Sequence, residues 1–240
     1  MIILAVDSSS AAGSAAIYRD GQVLYEAYAN EGLTHSQTLL VRCDEAFRNS
    51  GMSPRNVDVY AVTAGPGSFT GLRIGMGLVK GMAFASDAKC AAVPTFLALA
   101  QPLAGSGRDI LTVLDARQKR VYCSAFRSDN GVLKKVMEDC VLPLTELNMA
   151  VKECGLENVL VAGDASAQVA EAVDGAEDAG DEYRYVHAGQ VCVAAAQMAE
   201  RGELCSADEL RPFYLQLSQA ERNRLNNNDK ESAGNETHDR

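Results

Sequence analysis

Apolar positions along this chain fall into short continuous runs and longer helical stripes, and their order is informative. Ile2 to Val6 is uninterrupted and closes at Asp7-Ser8-Ser9-Ser10, the pattern of a buried strand entering a polar turn. Gly13 to Tyr18 and Gln22 to Tyr28 predict two more strands, joined at Asp20-Gly21, a strong hairpin signal. A helix follows, over 34–49. Thr34 or Ser36 can cap it, Leu39, Leu40, Cys43, Ala46 and Phe47 make its apolar face, and Gly51 ends it. Val57 to Thr63 predicts a strand that runs into Gly65-Pro66-Gly67-Ser68-Phe69-Thr70-Gly71, with a helix over 70–86. A strand at Cys90 to Val93 and a helix from Thr95 to about Ala104 complete this half.

The second half opens the same way. Ile110 to Leu114 predicts a strand ending in Asp115, then a polar turn (Ala116 to Arg120) and the strand Val121 to Phe126. A hairpin at Asp129-Asn130-Gly131 leads to Val132 to Val136. A helix over 145–153, a strand at Asn158 to Ala162 and helices near 165–173 and 188–201 follow. No residue-level repeat accompanies this recurring order. Strand hairpins alternating with helices indicate an α/β chain with two mixed sheets. Two lobes, each opening with an Asp at a strand end, resemble the actin-like (ASKHA, RNase H-like) architecture, in which the Asp-bearing turns face each other across a cleft. The expected division is a first lobe over 1–104 and a second over 105–217 whose last helices can return to the first. A single α/β domain with a coincidental second hairpin is the competing reading. The stretch 218–240 is polar, with Leu225 its one large apolar residue, and is expected to be disordered.

Composition narrows the class. At 240 residues, 47% hydrophobic and 22% charged, the chain suits a globular fold and excludes a collagen or a coiled-coil rod. The formal charge is −10, so sequence-independent RNA binding by this chain alone is unfavourable, and tRNA is expected only through a complex. Seven cysteines at long spacings, without Cys-x-x-Cys, read as small buried hydrophobes in a reducing cytosol rather than as redox or metal chemistry. The start, Met1-Ile2-Ile3-Leu4-Ala5-Val6-Asp7, lacks a basic leader, and no apolar segment approaches a membrane span. A cytoplasmic protein with no membrane partner is expected.

The most informative stretch is Thr63 to Gly75. It joins a strand to a helix, where α/β proteins present backbone N–H groups to anions, yet it is neither a Walker loop nor Gly-x-Ser-x-Gly. Phosphate cradle and structural turn both fit it. Gly71, Gly75, Gly77 and Gly81 lie inside the helix, each costing about 1 kcal/mol against Ala. The other positions are apolar nearly all round, so the helix reads as buried on every side, partly by another subunit or wholly by its own lobe. Asp7, Ser8, Gly65, Gly67 and Asp115 are candidate nucleotide or phosphate turns. The alternative for Asp7 and Asp115 is capping of the turn after each strand.

Ile2-Leu4-Ala5-Val6-Asp7-Ser8-Ser9, His35-Ser36, the string Ala64 to Gly75, Asp115-Ala116-Arg117 with Val121-Tyr122, and Arg211-Pro212-Phe213-Tyr214-Leu215 together resemble the bacterial TsaB family. The resemblance runs from residue 2 to about 217. It implies a non-catalytic, dimerising partner of the catalytic subunit TsaD and the ATPase TsaE, in making threonylcarbamoyladenosine beside the tRNA anticodon. It also implies a homodimer when alone, no tightly bound cofactor, and ATP or ADP at most in the complex. The catalytic relative's His-x-x-x-His metal pair has no counterpart, since Val93 to Ala100 holds no histidine and His35, His187 and His238 lie far apart. No catalytic residue and no metal site are therefore assigned. A serine peptidase built on Ser68 or Ser9 with His35 is disfavoured, because nothing pairs them. A stand-alone actin-like ATPase or transferase working in the inter-lobe cleft is the alternative function; a sugar kinase lacks its catalytic segment. The helices over 34–49 and 70–86 are expected side by side on a partner's equivalent pair. Expected contacts are His35, Leu39, Arg42, Phe69, Leu72, Arg73, Met76, Val79 and Lys80, the outward face being open.

Overall fold

Both expected hairpins form, and each feeds a five-stranded mixed sheet. The computed structural model describes residues 1–216; the tail expected from Ser218 lies outside them. The first sheet is built from β1 (Ile2–Asp7), β2 (Gly13–Arg19), β3 (Gln22–Ala29), β4 (Val59–Gly65) and β5 (Lys89–Pro94), in the order β3-β2-β1-β4-β5. The second uses β6 (Asp109–Asp115), β7 (Arg120–Asp129), β8 (Val132–Pro143), β9 (Leu160–Ala162) and β10 (Glu177–Asp178), in the order β8-β7-β6-β9-β10. In both, the first three strands pair antiparallel and the last two join in parallel. This repeated order is the actin-like arrangement of two similar lobes. The two-residue β-turns carry positive φ at both central positions, Asp20 (47°) with Gly21 (96°) and Asn130 (50°) with Gly131 (81°). That backbone matches the twist of the flanking strands, which is why these dipeptides stop one strand and start the next.

The helices are α1 (His35–Ser50), α2 (Phe69–Ser86), α3 (Thr95–Ala100), α4 (Leu144–Glu153), α5 (Ser166–Ala172) and α6 (Ala188–Glu200). Gly51 ends α1 in the left-handed conformation, while Thr34 occupies the N-cap position without a side-chain cap. Leu39, Cys43, Ala46 and Phe47 form one buried stripe, whereas Leu40 falls off it and is 61% exposed, contrary to its expected place on the apolar face. Helices α1 and α2 cover one face of the first sheet over a core that includes Leu4, Val6, Tyr60 and Val62. The other face is covered by α3 and by α6, which lies across β1 and β2. There Ile110, Leu114 and Phe126 of the second sheet join a second core with Ile3, Ala5 and Val93, so one apolar cluster ties the lobes together.

Helix α2 is not covered wholly by its own lobe. Gly71, Leu72, Gly75, Met76, Val79 and Ala83 are buried, but Arg73, Gly77, Gly81, Phe84 and Ala85 face solvent. The glycines fix the orientation. A Cβ at Gly71 would overlap the Ser8 carbonyl oxygen, and one at Gly75 the Ser8 hydroxyl, whereas at Gly77 and Gly81 it would meet nothing within 4 Å. Close approach inside the lobe therefore explains two of the four glycines and leaves two unexplained.

Substituting Ala at these positions separates the pairs. Gly77→Ala, measured by urea unfolding under monomeric conditions, should stabilise the chain by about 0.5–1 kcal/mol through helix propensity. Gly71→Ala should destabilise it by about 1–3 kcal/mol, because backbone must move to admit the methyl group. Equal effects at the two positions would show that the Ser8 contact does not set the helix.

Candidate functional site

A cleft of about 570 Å³ opens between the lobes. Its first-lobe wall is the Ser9–Ala11 turn after β1 and the Pro66–Thr70 loop that leads into α2. The opposite wall is Leu114 to Arg117 at the end of β6, with Tyr122 and Asp164, and residues Phe213 to Gln216 cross the opening as a strap. The two Asp-bearing turns do face each other, but only Asp115 reaches the cleft.

Asp7 is fully buried. Its Oδ1 accepts from the Ser9 amide (3.2 Å), the Ser9 hydroxyl (2.7 Å) and the Thr63 hydroxyl (2.7 Å), while Oδ2 has no hydrogen-bond partner among the described residues. Burial pushes its carboxyl above the usual carboxylate range, against the pull of the Thr63 and Ser9 hydrogen bonds. Asp7 Oδ1 thus caps its own turn, and the side chain does not line the cleft. Ser8 is buried as well, and its hydroxyl donates to the Gly71 carbonyl at 2.9 Å and ties the β1 turn to α2.

The glycine loop is occupied by its own backbone. The Ser68 amide donates to the Ser9 carbonyl at 2.7 Å, and the Ser68 hydroxyl accepts from the Gly71 amide at 3.2 Å as the N-cap of α2. A Cβ on Gly67 would stand 2.5 Å from the Ser9 carbonyl oxygen. Gly65, at φ 122°, lies under the strap, where a Cβ would overlap the Phe213 carbonyl, and the Phe213 amide donates to the Ala64 carbonyl at 2.7 Å. The Ser68 and Gly71 amides are thus committed to the turn itself, and of the two loop glycines Gly67 lines the cleft and Gly65 does not.

On the second lobe, Asp115 Oδ1 accepts from the Arg117 amide at 2.7 Å and the Asp115 amide donates to Asp164 Oδ1 at 2.8 Å. Burial and the neighbouring Asp115 charge raise the Asp164 carboxyl above its ordinary value, burial most. Arg117, Gln118 and Lys119 hold φ of 63°, 55° and 58°, three successive left-handed residues without a glycine among them. Sequence reasoning missed Asp164. Its signal was the Ala162-Gly163-Asp164 string, a strand end followed by a glycine packed on the Val113 backbone.

The expected partner contacts divide. Leu39, Leu72, Met76 and Val79 are buried beneath their helices in the chain's own core, so they are corrected from contacts to core residues. His35 is half-buried against Gly13, and its Nε2–H donates to the Ser10 carbonyl at 2.8 Å. Arg42 packs beside it, its Nε buried without a partner among the described residues. Phe69 and Arg73 belong to the strap: the Arg73 guanidinium sits 3.9 Å over the Phe69 ring, its Nε donates to the Tyr214 hydroxyl at 3.0 Å, and the rings stack at 4.7 Å. Lys80 is half-buried. The α1–α2 pair presents Leu40 (61% exposed), Val41 (63%), Gly77, Gly81 and Phe84 (61%) to solvent, along with polar residues that include Asp44, Glu45, Arg48 and Arg73. Among the described residues no imidazole bonds a serine hydroxyl, and no cluster of His, Cys, Asp or Glu is arranged to hold a metal ion. No helix there is long and apolar enough to cross a membrane.

Known proteins sharpen this picture. The family model TsaD, described as tRNA N6-adenosine threonylcarbamoyltransferase, matches residues 31–223. Among curated proteins, the tRNA threonylcarbamoyladenosine biosynthesis protein TsaB of Bacillus subtilis (strain 168) is 31% identical over 157 residues, 64% of this chain and 67% of that one. The chain belongs to the TsaB family. TsaB of Escherichia coli (strain K12) is 29% identical over 232 residues, covering 90% of this chain and 94% of its own. The solved structure of YeaZ from Pseudomonas aeruginosa superposes with a TM-score of 0.77 at 27% identity, over 89% of this chain and 99% of that one. In this TsaB-family chain the Ala64–Gly75 string serves as the close-packed joint between β1, β4 and α2.

Asp7 gives a pH test. Its carboxyl is raised in the folded state, so this group favours folding most below the ordinary value of 3.8 and less as pH climbs through the folded value. Asp7→Asn keeps an oxygen acceptor for Ser9 and Thr63 and removes the buried charge. It should stabilise the protein at neutral pH, with the gain vanishing toward pH 3.8 in thermal melts. Asp7→Ala, which strands three buried donors, should destabilise it by about 1–3 kcal/mol.

Proposed function

We propose that this chain is the non-catalytic subunit of the assembly that makes threonylcarbamoyladenosine beside the tRNA anticodon. It pairs with a TsaD-type catalytic subunit, works with a TsaE-type ATPase in the cytoplasm, and dimerises with itself when alone. The observation that carries this reading is the exposure of Leu40 and Val41 on α1 and of Phe84 on α2, with two glycines on α2 that nothing inside the chain requires. Such a face lets a second helix approach closely, and aliphatic groups there lose contact with water on association. The catalytic relative's paired histidines would fall near α3, which instead carries Phe96, Ala98, Leu99 and Ala100 in the core. Both histidines with described surroundings are committed elsewhere, His35 to Ser10 and His187 to Glu26 and a stack on Tyr28.

A stand-alone ATPase or transferase is the second reading, favoured by one feature, the cleft with Asp115, Asp164 and Arg117 on its wall. Against it, the Ser68 and Gly71 amides and Asp7 Oδ1 are engaged within the chain. ATP turnover by the purified chain, abolished in Asp115→Ala, would establish it. In the complex, ATP or ADP binding is assigned to the assembly, with no tightly held cofactor on this chain.

Gly77→Glu tests the interface without disturbing the fold, since position 77 is open and Glu is a better helix former than Gly. Charge and bulk at a dry contact should weaken co-elution with a TsaD-type subunit by roughly 100-fold or more, while circular dichroism and Tm stay at or above wild type. Unchanged affinity in a folded Gly77→Glu, Gly81→Glu variant would sink the assignment. Met76→Glu and Val79→Glu should instead compromise folding, because both side chains are buried.

RNA provides a second check. With a formal charge of −10, the isolated chain should show no salt-sensitive tRNA binding at micromolar concentration, and tRNA should associate only with the assembled complex. A filter-binding curve for the chain alone that falls steeply with salt would overturn this.

A further inference from the structure

The cysteines were expected as scattered core residues, and Cys43, Cys90 and Cys192 are buried free thiols of that kind. Cys123 and Cys140 are different. They are direct register partners on the antiparallel strands β7 and β8, and their sulfurs lie 3.3 Å apart. Directly opposed antiparallel residues have Cα separations of about 4.5–5.5 Å, inside the range that a disulfide spans. Closing the sulfurs to bonding distance needs a shift of about 1.3 Å, within reach of small side-chain rotations. The pairing slips between Cys123 and Ala125, so the ladder beside the pair is already irregular.

The two thiols are not equivalent. Cys140 stands on β8, the edge strand of its sheet, and is partly exposed; Cys123 is buried on β7, one strand further in. The hydrogen bond that Cys123 donates holds the Cys140 thiol below its ordinary value, while the same bond and burial raise Cys123. A partly exposed cysteine biased toward thiolate, with a second thiol in contact with it, is the arrangement in which an oxidised sulfur is captured as a disulfide rather than oxidised further. Cys154, at the C-terminal cap of α4, is a competing third thiol.

We propose that Cys140 and Cys123 form a peroxide-reactive dithiol, with Cys140 as the attacking sulfur and Cys123 as the resolving one. The Cys140 thiolate attacks one oxygen of hydrogen peroxide, the O–O bond breaks, and hydroxide leaves as water with a proton from solvent, giving the sulfenic acid. The Cys123 sulfur then attacks Cys140 Sγ, the S–O bond breaks, and the departing hydroxide takes the Cys123 proton as a second water. Two thiols lose two electrons to form the disulfide, and one peroxide gains them. The link lies beside Tyr122, the residue before Cys123, which lines the inter-lobe cleft and donates its hydroxyl to Gln216 at 3.4 Å.

Tryptic mapping reads the outcome directly, because Cys123, Cys140 and Cys154 fall in separate peptides, 121–127, 136–152 and 153–184. The full chain is treated with hydrogen peroxide, alkylated and digested without reductant. The expected result is the 121–127 peptide linked to the 136–152 peptide at a mass lower by two hydrogens, with free thiols falling by two from seven. Dithiothreitol should reverse it. Cys140→Ser and Cys123→Ala should each abolish the link, Cys154→Ser should keep it, and circular dichroism should report all three folded. In Cys123→Ala, Cys140 should run on to sulfinic acid. The wild-type map decides the matter even if a variant fails to fold. Linkage of Cys140 to Cys154, earlier linkage of Cys90 to Cys205, sulfinic acid at Cys140 without a link, or no reaction would each overturn the proposal.

Discussion

The architecture depends on one close approach, the Ser8–Ser9 turn at the end of β1 lying against the backbone of α2 and its entry loop. Gly67, Gly71 and Gly75 admit Ser8 and Ser9 where a methyl group would collide with backbone or hydroxyl oxygen. The Ser8 hydroxyl and the Ser9 carbonyl then bond to the same segment they press against. Everything nearby inherits that geometry. Asp7 is sealed beneath the turn, Gly65 is left bare for the strap from Phe213, and α2 is rotated so that Gly77, Gly81 and Phe84 face out.

The same contact explains why a fold suited to nucleotide chemistry presents so little of it here. An anion site at a helix N-terminus requires amides without internal partners. In this chain Ser68 and Gly71 spend theirs on Ser9 and on the Ser68 side chain. A carboxylate that handles a cation must face the ligand, and Asp7 faces Ser9 and Thr63 instead. What remains in the cleft is the second-lobe set, Asp115 and Asp164 with Arg117 held on a left-handed turn. One lobe has become a joint while the other keeps its polar wall.

Much of this was legible in the sequence because the signals were local. Asp20-Gly21 and Asn130-Gly131 turn the chain, Gly51 ends α1, and Ser68 caps α2; each is set by backbone geometry within a few residues. The recurring element order gave the two lobes, since matching strand orders follow from matching hairpins and crossovers. The orientation of α2 was not legible. A helix apolar nearly all round carries no stripe to point its core face inward, and the deciding contact is with Ser8, more than sixty residues away. Leu72, Met76 and Val79 therefore read as partner contacts in the sequence, and the fold buries them in the core. Asp164 and the opposition of Cys123 and Cys140 were hidden for a related reason: cross-strand register is a property of pairing and leaves no trace in spacing along one strand.

The two faces of α2 put opposite demands on the same residue type. On the inner face, glycine is required sterically, and its helix-propensity cost is offset within the monomer by the packing and hydrogen bonds that the Ser8 approach allows. On the outer face, Gly77 and Gly81 each cost about 1 kcal/mol relative to Ala and recover nothing from the chain's own contacts. On the proposed reading the offset comes from outside the monomer, where a missing Cβ lets a partner come nearer than a side chain permits. Exposed Leu40, Val41 and Phe84 on the same helix pair gain in the same event, by leaving water. On that reading monomer stability and association trade against each other along one helix, the inner glycines serving the first and the outer glycines the proposed second.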